Sequence, residues 1–333
     1  MNPGTAFFSR PETNAKREAF YHRLKAVSAA PLWEQLADLV LAQPRPGCVP
    51  ALWRYEEMRP YLMESGELIT AGEAERRVLM IQNPGLQGLP QITQSLYAGL
   101  QLVLPGEVTA THRHVAAALR FVIEGNGAYT SVDGTKITMH SGDFILTPSW
   151  TYHDHGNLTD EPVVWMDGLD IPTVNMLDAS FAEHYPGGTQ PVLREDADSA
   201  VSFPYARMRE ALDRLARSGP GDACHGFRIH YGEAATLPTI DAWLRLLPAG
   251  FRTAAYRSTD ATVFCIAEGR GRSVIGDAAF DWGPHDIFMV PSWVPVEHEA
   301  REEAVLFSFS DRPIQKALGM WREEVPPDSG ASQ

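Results

Sequence analysis

The chain has 333 residues, 44% of them apolar and 21% charged, which is a globular composition long enough for about two domains or one duplicated unit. Its 28 basic and 42 acidic residues give a net charge of −14, a field that repels phosphate backbones and anionic lipid and argues against nucleic-acid and membrane partners. Cys48, Cys224 and Cys265 are too far apart in sequence for a disulfide framework or a CxxC zinc site. No signal pattern opens the chain and no apolar run approaches the roughly 20 residues of a membrane span, so a reducing, cytoplasmic location is expected.

From Asn14 to about Gln43, Phe20, Leu24, Val27, Leu32, Leu36, Leu39 and Val40 fall largely three or four apart, interrupted by Pro31. This spacing predicts two amphipathic helices. A Pro-rich joint, Gln43-Pro-Arg-Pro-Gly47, follows, and Thr70-Ala-Gly-Glu73 has the form of a capping box opening a short helix. Residues 1–85 therefore read as a helical arm. Beyond it, short β-rich runs such as Leu96–Leu104, Ala118–Ile123, Phe144–Thr147 and Val163–Leu169 are separated by Gly and Pro about every ten residues, which favours a sandwich or barrel. A connector over 181–235, with a helix from Tyr205 to Ala216, leads to a second β-rich region over 236–323. Residues 324–333 read as a disordered tail.

The two β regions repeat each other. Ile123-Glu-Gly-Asn-Gly127 returns as Ala267-Glu-Gly-Arg-Gly271, and Asp143-Phe-Ile-Leu-Thr-Pro-Ser-Trp150 as Asp286-Ile-Phe-Met-Val-Pro-Ser-Trp293. One β-fold is thus present twice.

Within the first copy, His112-Arg-His114 and His153-Asp-His155 place four of the eleven histidines in two alternating pairs. Residues two apart on a strand face the same side, so each pair can aim two imidazoles into one interior, as a metal site in a barrel requires. For one isolated pair, hydrogen-bonded core histidines would be the simpler reading; two pairs in one repeat favour the metal. Spacing does not name that metal, and zinc or a dry structural site remains an alternative.

Gly106-x5-His112-x-His114 with Gly125, and Gly142-x5-Pro148 with His153-x3-Asn157, resemble the two cupin motifs. Ala118 stands where that pattern has glutamate and Trp150 where it has glycine, departures that fit a three-histidine branch. The fuller resemblance, from about Pro31 to about Glu323, is to gentisate 1,2-dioxygenase and its relatives acting on salicylate and 1-hydroxy-2-naphthoate. It is carried by Pro50-Ala-Leu-Trp-Arg54, Leu68-Ile-Thr70, Leu96-Tyr-Ala-Gly-Leu-Gln101, Ala118-Leu-Arg-Phe121, Pro148-Ser-Trp-Thr-Tyr-His-Asp-His-Gly156 and Trp165-Met-Asp-Gly-Leu-Asp170.

The resemblance implies a mainly β bicupin: two double-stranded β-helix (jelly-roll) barrels with an N-terminal helical arm, the N-terminal cupin over 86–180 binding metal. It implies one Fe(II) per chain on His112, His114 and His153, with His155 and Asp167 as catalytic acid or base groups. Three neutral ligands leave the full dipositive charge on such a metal and its opposite positions open, a reason to prefer a substrate binding through carboxylate and hydroxyl. The resemblance also implies substrate contact by Arg76, Tyr97, Gln101 and Arg120. Arg120 lies an even number of residues after His114 and so faces the same interior along a regular strand. Arg77, next to Arg76, is expected to be the exposed one of the two. Tyr97 stands where relatives cleaving monohydroxylated rings carry Trp, which favours gentisate.

In the second copy Tyr256, Ser258 and Val296 stand opposite the three ligands, so that cupin is expected to have lost its metal and His298, opposite His155, to be structural. His22, His140, His184, His225, His230 and His285 have no partner pattern. The expected activity is Fe(II)-dependent cleavage of gentisate by O2 to maleylpyruvate in a homotetramer. The alternatives are the same chemistry on salicylate or 1-hydroxy-2-naphthoate, a metal-binding cupin that serves as sensor or storage protein, and a non-redox isomerase.

Overall fold

The computed structural model describes residues 8, 11–195, 199–231 and 237–325. The chain divides into two compact units, Met1–Arg45 and Pro46–Gln333. The first holds helices α1 (Ala15–Ala26) and α2 (Leu32–Leu39). Asn14 caps α1 by accepting from the Lys16 and Arg17 amides. Tyr21 donates to Glu34 and accepts from the Trp33 indole, tying the helices together. The amphipathic expectation fails for α1, which buries none of its residues and leaves Phe20 exposed.

The arm expected over 1–85 ends at residue 45. In the larger unit, β1 (Ala51–Trp53) precedes α3 (Tyr55–Leu68) and α4 (Ala71–Ala74), and the latter opens on the full Thr70–Glu73 capping box. Next come β2 (Val78–Met80), β3 (Tyr97–Val103), β4 (His112–His114), β5 (Ala118–Glu124) and β6 (Tyr129–Val132). They are followed by β7 (Thr135–Thr138), β8 (Phe144–Thr147), β9 (His153–Gly156) and β10 (Val163–Leu169). The expected connector supplies β11 (Ala182–His184), β12 (Arg194–Glu195) and β13 (Ser202–Phe203), all paired into the first barrel, before helix α5, the single long helix of this stretch (Tyr205–Ser218).

The N-terminal barrel has two six-stranded sheets, ordered β13-β8-β5-β10-β3-β2 and β11-β4-β9-β6-β7-β12. The C-terminal barrel repeats this plan. Asp241–Leu247, Thr262–Glu268, Ile287–Val290 and Ala304–Ser310 form its back sheet, joined at one edge by β1, and Gly271–Ile275, Ala278–Trp282 and Val296–Ala300 its front. The first residue of the expected tail, Glu324, is structured: with Glu323 it pairs with Arg257–Ser258. Residues 326–333 lie outside the described residues.

The back sheets pack against each other. Leu100, Leu119, Phe121, Phe144 and Met166 of one meet Leu244, Val263, Met289, Phe307 and Phe309 of the other, with the Phe121 and Phe307 rings stacked at 4.4 Å. The opposite faces line the two barrel interiors, so these strands are buried on both sides and read as continuous apolar runs. At Gly168 the sheets approach so closely that a Cβ would stand 2.8 Å from the Phe309 ring.

Trp150 and Trp293 hold equivalent places. Each has a left-handed backbone, φ 64° and 62°, at the position where the cupin pattern has glycine. Each indole is covered by the arginine after the first ligand position or its counterpart, Arg113 at 4.5 Å and Arg257 at 4.6 Å. The cation–π contacts offset part of a backbone cost of about 1–2 kcal/mol.

Candidate metal centre and active site

β4 and β9 pair through His112 opposite His153, which sets the register of the three imidazoles. Ring centroids of His112, His114 and His153 lie 4.4–5.3 Å apart, and one nitrogen from each lies within 4.8 Å of the others. Among the described residues this is the one cluster of three potential metal-binding side chains. Burial lowers all three from the ordinary histidine value, His112 to about 3 and His153 well below that value, which favours the neutral rings.

A metal held by three Nε2 atoms needs the ring proton on each Nδ1. His114 Nδ1 meets the Ala116 carbonyl at 2.7 Å and His153 Nδ1 the Thr151 carbonyl at 3.0 Å, so both rings present Nε2 lone pairs. His112 Nδ1 instead touches the Arg76 guanidinium, which can only donate. Metal on His112 Nε2 therefore requires Arg76 to withdraw, leaving the Ala110 carbonyl to accept from Nδ1. With that movement the donor set fits a divalent cation that accepts imidazole ligands.

The other expected residues surround this centre. His155 is buried beside His153, its ring 5.8 Å away, and neutral because of burial and the nearby arginines. The Thr130 hydroxyl is hydrogen-bonded to its Nδ1 and holds the ring in place. Arg120, Gly99 and Asp167 are cross-strand neighbours: Asp167 faces Gly99 on β3 and Arg120 on β5. Arg120 Nε lies 3.6 Å from Asp167 Oδ1, which also accepts from the Trp165 indole at 3.0 Å. Burial raises Asp167 to about 6 against the opposing pull of Arg120. Gln101 is buried opposite Trp165 on the same face. Tyr97 lies two residues before Gly99, and a Cβ at Gly99 would meet its hydroxyl at 2.8 Å and Val78 at 2.5 Å. Glycine there is what admits the phenol.

Arg76 sits half-buried after α4, at the rim of a cavity of about 520 Å³ that His112, Thr109, Ala110 and Glu183 also line. A space of that size accommodates a substituted benzoic acid, but of the expected substrate contacts only Arg76 lines it; Tyr97, Gln101 and Arg120 do not. Arg77, expected to be exposed, is buried. Its guanidinium forks onto Glu107 at 2.8 and 2.9 Å and also donates to the Ile69 carbonyl. The partner that decides this lies 30 residues away, so neighbouring arginines could not be told apart by spacing. Gly99, Thr130 and Trp165 were likewise not singled out in the sequence, since each acts through a cross-strand neighbour.

Fold and centre together define a cupin with a three-histidine site, and residues 99–171 match the cupin domain family. Gentisate 1,2-dioxygenase 1 of Aquipseudomonas alcaligenes is 49% identical over 96% of this chain and 99% of its own. A gentisate 1,2-dioxygenase from a Streptomyces species is 36% identical over 92% and 94%. The chain belongs to the gentisate 1,2-dioxygenase family and is an oxidoreductase. In structure it is similar to a tryptophan-to-tyrosine variant of salicylate 1,2-dioxygenase from Pseudoaminobacter salicylatoxidans in complex with gentisate, with TM-score 0.87 and 32% identity over 98% of this chain and 99% of that one.

Proposed function

We propose that this chain cleaves gentisate with O2 to give maleylpyruvate, using one Fe(II) held by His112, His114 and His153. The observation that carries the reading is a neutral triad beside the buried Arg120–Asp167 pair and half-buried Arg76, on a chain 49% identical to a gentisate 1,2-dioxygenase. Bound there, ferrous ion supplies Lewis acidity and a redox partner for O2.

The chain's own residues bind the acid and manage its protons. Arg76, released from His112, and Arg120 balance the substrate's negative charge in a low-dielectric chamber. Each good charge-assisted contact contributes about 1.5–3 kcal/mol. The Tyr97 hydroxyl and Gln101 amide supply neutral polar contacts to the ring substituents. His155 acts as acid or base toward the oxygen developing charge, and Asp167, poised at about 6, accepts and returns the hydroxyl proton. Gentisate's second hydroxyl, para to the first, adds electron density and makes its ring easier to open than that of salicylate.

A cytoplasmic location is consistent with the absence of any membrane-crossing helix among the described residues and with three buried cysteines. A homotetramer is supported by exposed apolar side chains on the N-terminal barrel, among them Trp150, Met176, Leu177 and Phe181. Light scattering of the purified protein checks that number.

The functional test is anaerobic loading with Fe(II), followed by oxygen uptake and near-ultraviolet recording with gentisate, salicylate and 1-hydroxy-2-naphthoate. Uptake with gentisate, one O2 per ring, is expected. Iron bound without uptake on any of the three would overturn the reading in favour of a sensor or isomerase.

A further inference from the structure

The interior of the C-terminal barrel is the counterpart of the active-site chamber, position for position. Tyr256 pairs with Val296 as His112 pairs with His153, and Ser273 with His298 as Thr130 with His155. Arg245 faces Leu306 across the back sheet where Gln101 faces Trp165. No metal triad forms there among the described residues, but a guanidinium enters instead.

Arg245 is 4% exposed, and its Nε and Nη1 have no hydrogen-bond partner. Its Nη2 reaches His225 Nδ1 at 3.3 Å. The residue directly opposite it on the neighbouring strand is another cation, Arg228, a cross-strand pairing that is unfavourable in isolation. The nearby carboxylates are committed elsewhere: Asp260 to Arg312 at 3.2 Å and Asp241 to His230 and Trp243. Glu323 stands 4.0 Å from His225 Nε2.

His298 adds a third buried nitrogen without a partner. The Trp282 indole donates to Ser273 Oγ, which is also hydrogen-bonded to His298 Nδ1 at 2.7 Å. Its Nε2 is fully buried and unpartnered. Phe264 is the ring common to both groups, 5.3 Å from Arg245 Cζ and 5.1 Å from the His298 ring. A water could accept from the Arg245 donors but would bring two protons of its own to place. An acceptor-only ligand brings none and also offsets the buried charge.

We propose that the C-terminal barrel binds a small monovalent anion, a carboxylate or a halide, on Arg245 Nε and Nη1. The second cupin has thus exchanged a cation site for an anion site rather than losing binding altogether.

The test uses the iron-loaded full chain. Crystals soaked in bromide should show an anomalous peak within hydrogen-bonding distance of Arg245, and halide-free crystals grown in formate a planar carboxylate at the same place, which separates the two sources. In solution, protein-induced broadening of the 35Cl resonance should be reversed by formate and reduced several-fold in Arg245→Gln, with gentisate turnover unchanged as the check on folding. Ordered water at Arg245 in both crystals, or broadening unaffected by formate in the wild type, would overturn the proposal. If Arg245→Gln does not fold, the wild-type crystals and formate competition decide alone.

Discussion

His155 depends on a hydroxyl that no motif advertises. Thr130 orients its ring, so Thr130→Val should leave iron content and KM near wild type while lowering kcat about 10-fold or more, as loss of an orienting partner does. Thr130→Ser should restore it; steady-state kinetics with iron analysis decide. Asp167 carries a different signature. Its buried carboxyl lies high, at about 6, and the ionised form is the one that pairs with Arg120 and accepts a proton. Activity should therefore fall as pH drops through about 6 or below, since the dipositive charge of a bound metal favours the ionised form further. In Asp167→Asn this one-proton acid limb should vanish from the pH profile of kcat/KM along with most of the activity. A limb that persists unchanged would assign it to another group.

At the scale of elements, the His-x-His pairs were legible because strand periodicity converts spacing into direction, and the Thr70–Glu73 capping box because its chemistry is local. Pairings over long separations were not. β1 closes the edge of the C-terminal back sheet more than 230 residues away, and its three residues, Ala51–Trp53, offer no signal of that partner. The connector's short strands β11 and β13 were hidden for the same reason. Arg77 shows what such a hidden pairing contributes: its fork onto Glu107 fastens the segment from Ile69 to Arg77 against the turn after β3. Arg77→Ala would strand a largely buried carboxylate and should cost about 3–5 kcal/mol in urea unfolding. A loss under 1 kcal/mol would mean that solvent already satisfies Glu107.

For the whole molecule, the repeat visible at Gly125 and Gly269, and at Trp150 and Trp293, is a true duplication of architecture, with the two barrels set back to back. That arrangement puts the stacked Phe121 and Phe307 rings at the joint, and Phe307→Ala should cost about 3–5 kcal/mol while leaving the histidine triad intact. The joint itself was not legible, because an apolar run reads alike whether its second face meets a barrel interior or another barrel. The chemistry, by contrast, rests on a few residues in one barrel, and those the sequence did expose. We propose that three histidines hold the iron with which this chain cleaves gentisate. The most direct measurement is iron bound per chain and gentisate-dependent O2 uptake in wild type and His153→Ala after identical anaerobic loading. One iron and rapid uptake in the wild type, with both lost together in the variant, is the expected result. Full iron occupancy in a folded His153→Ala protein, or uptake that survives the substitution, would contradict it.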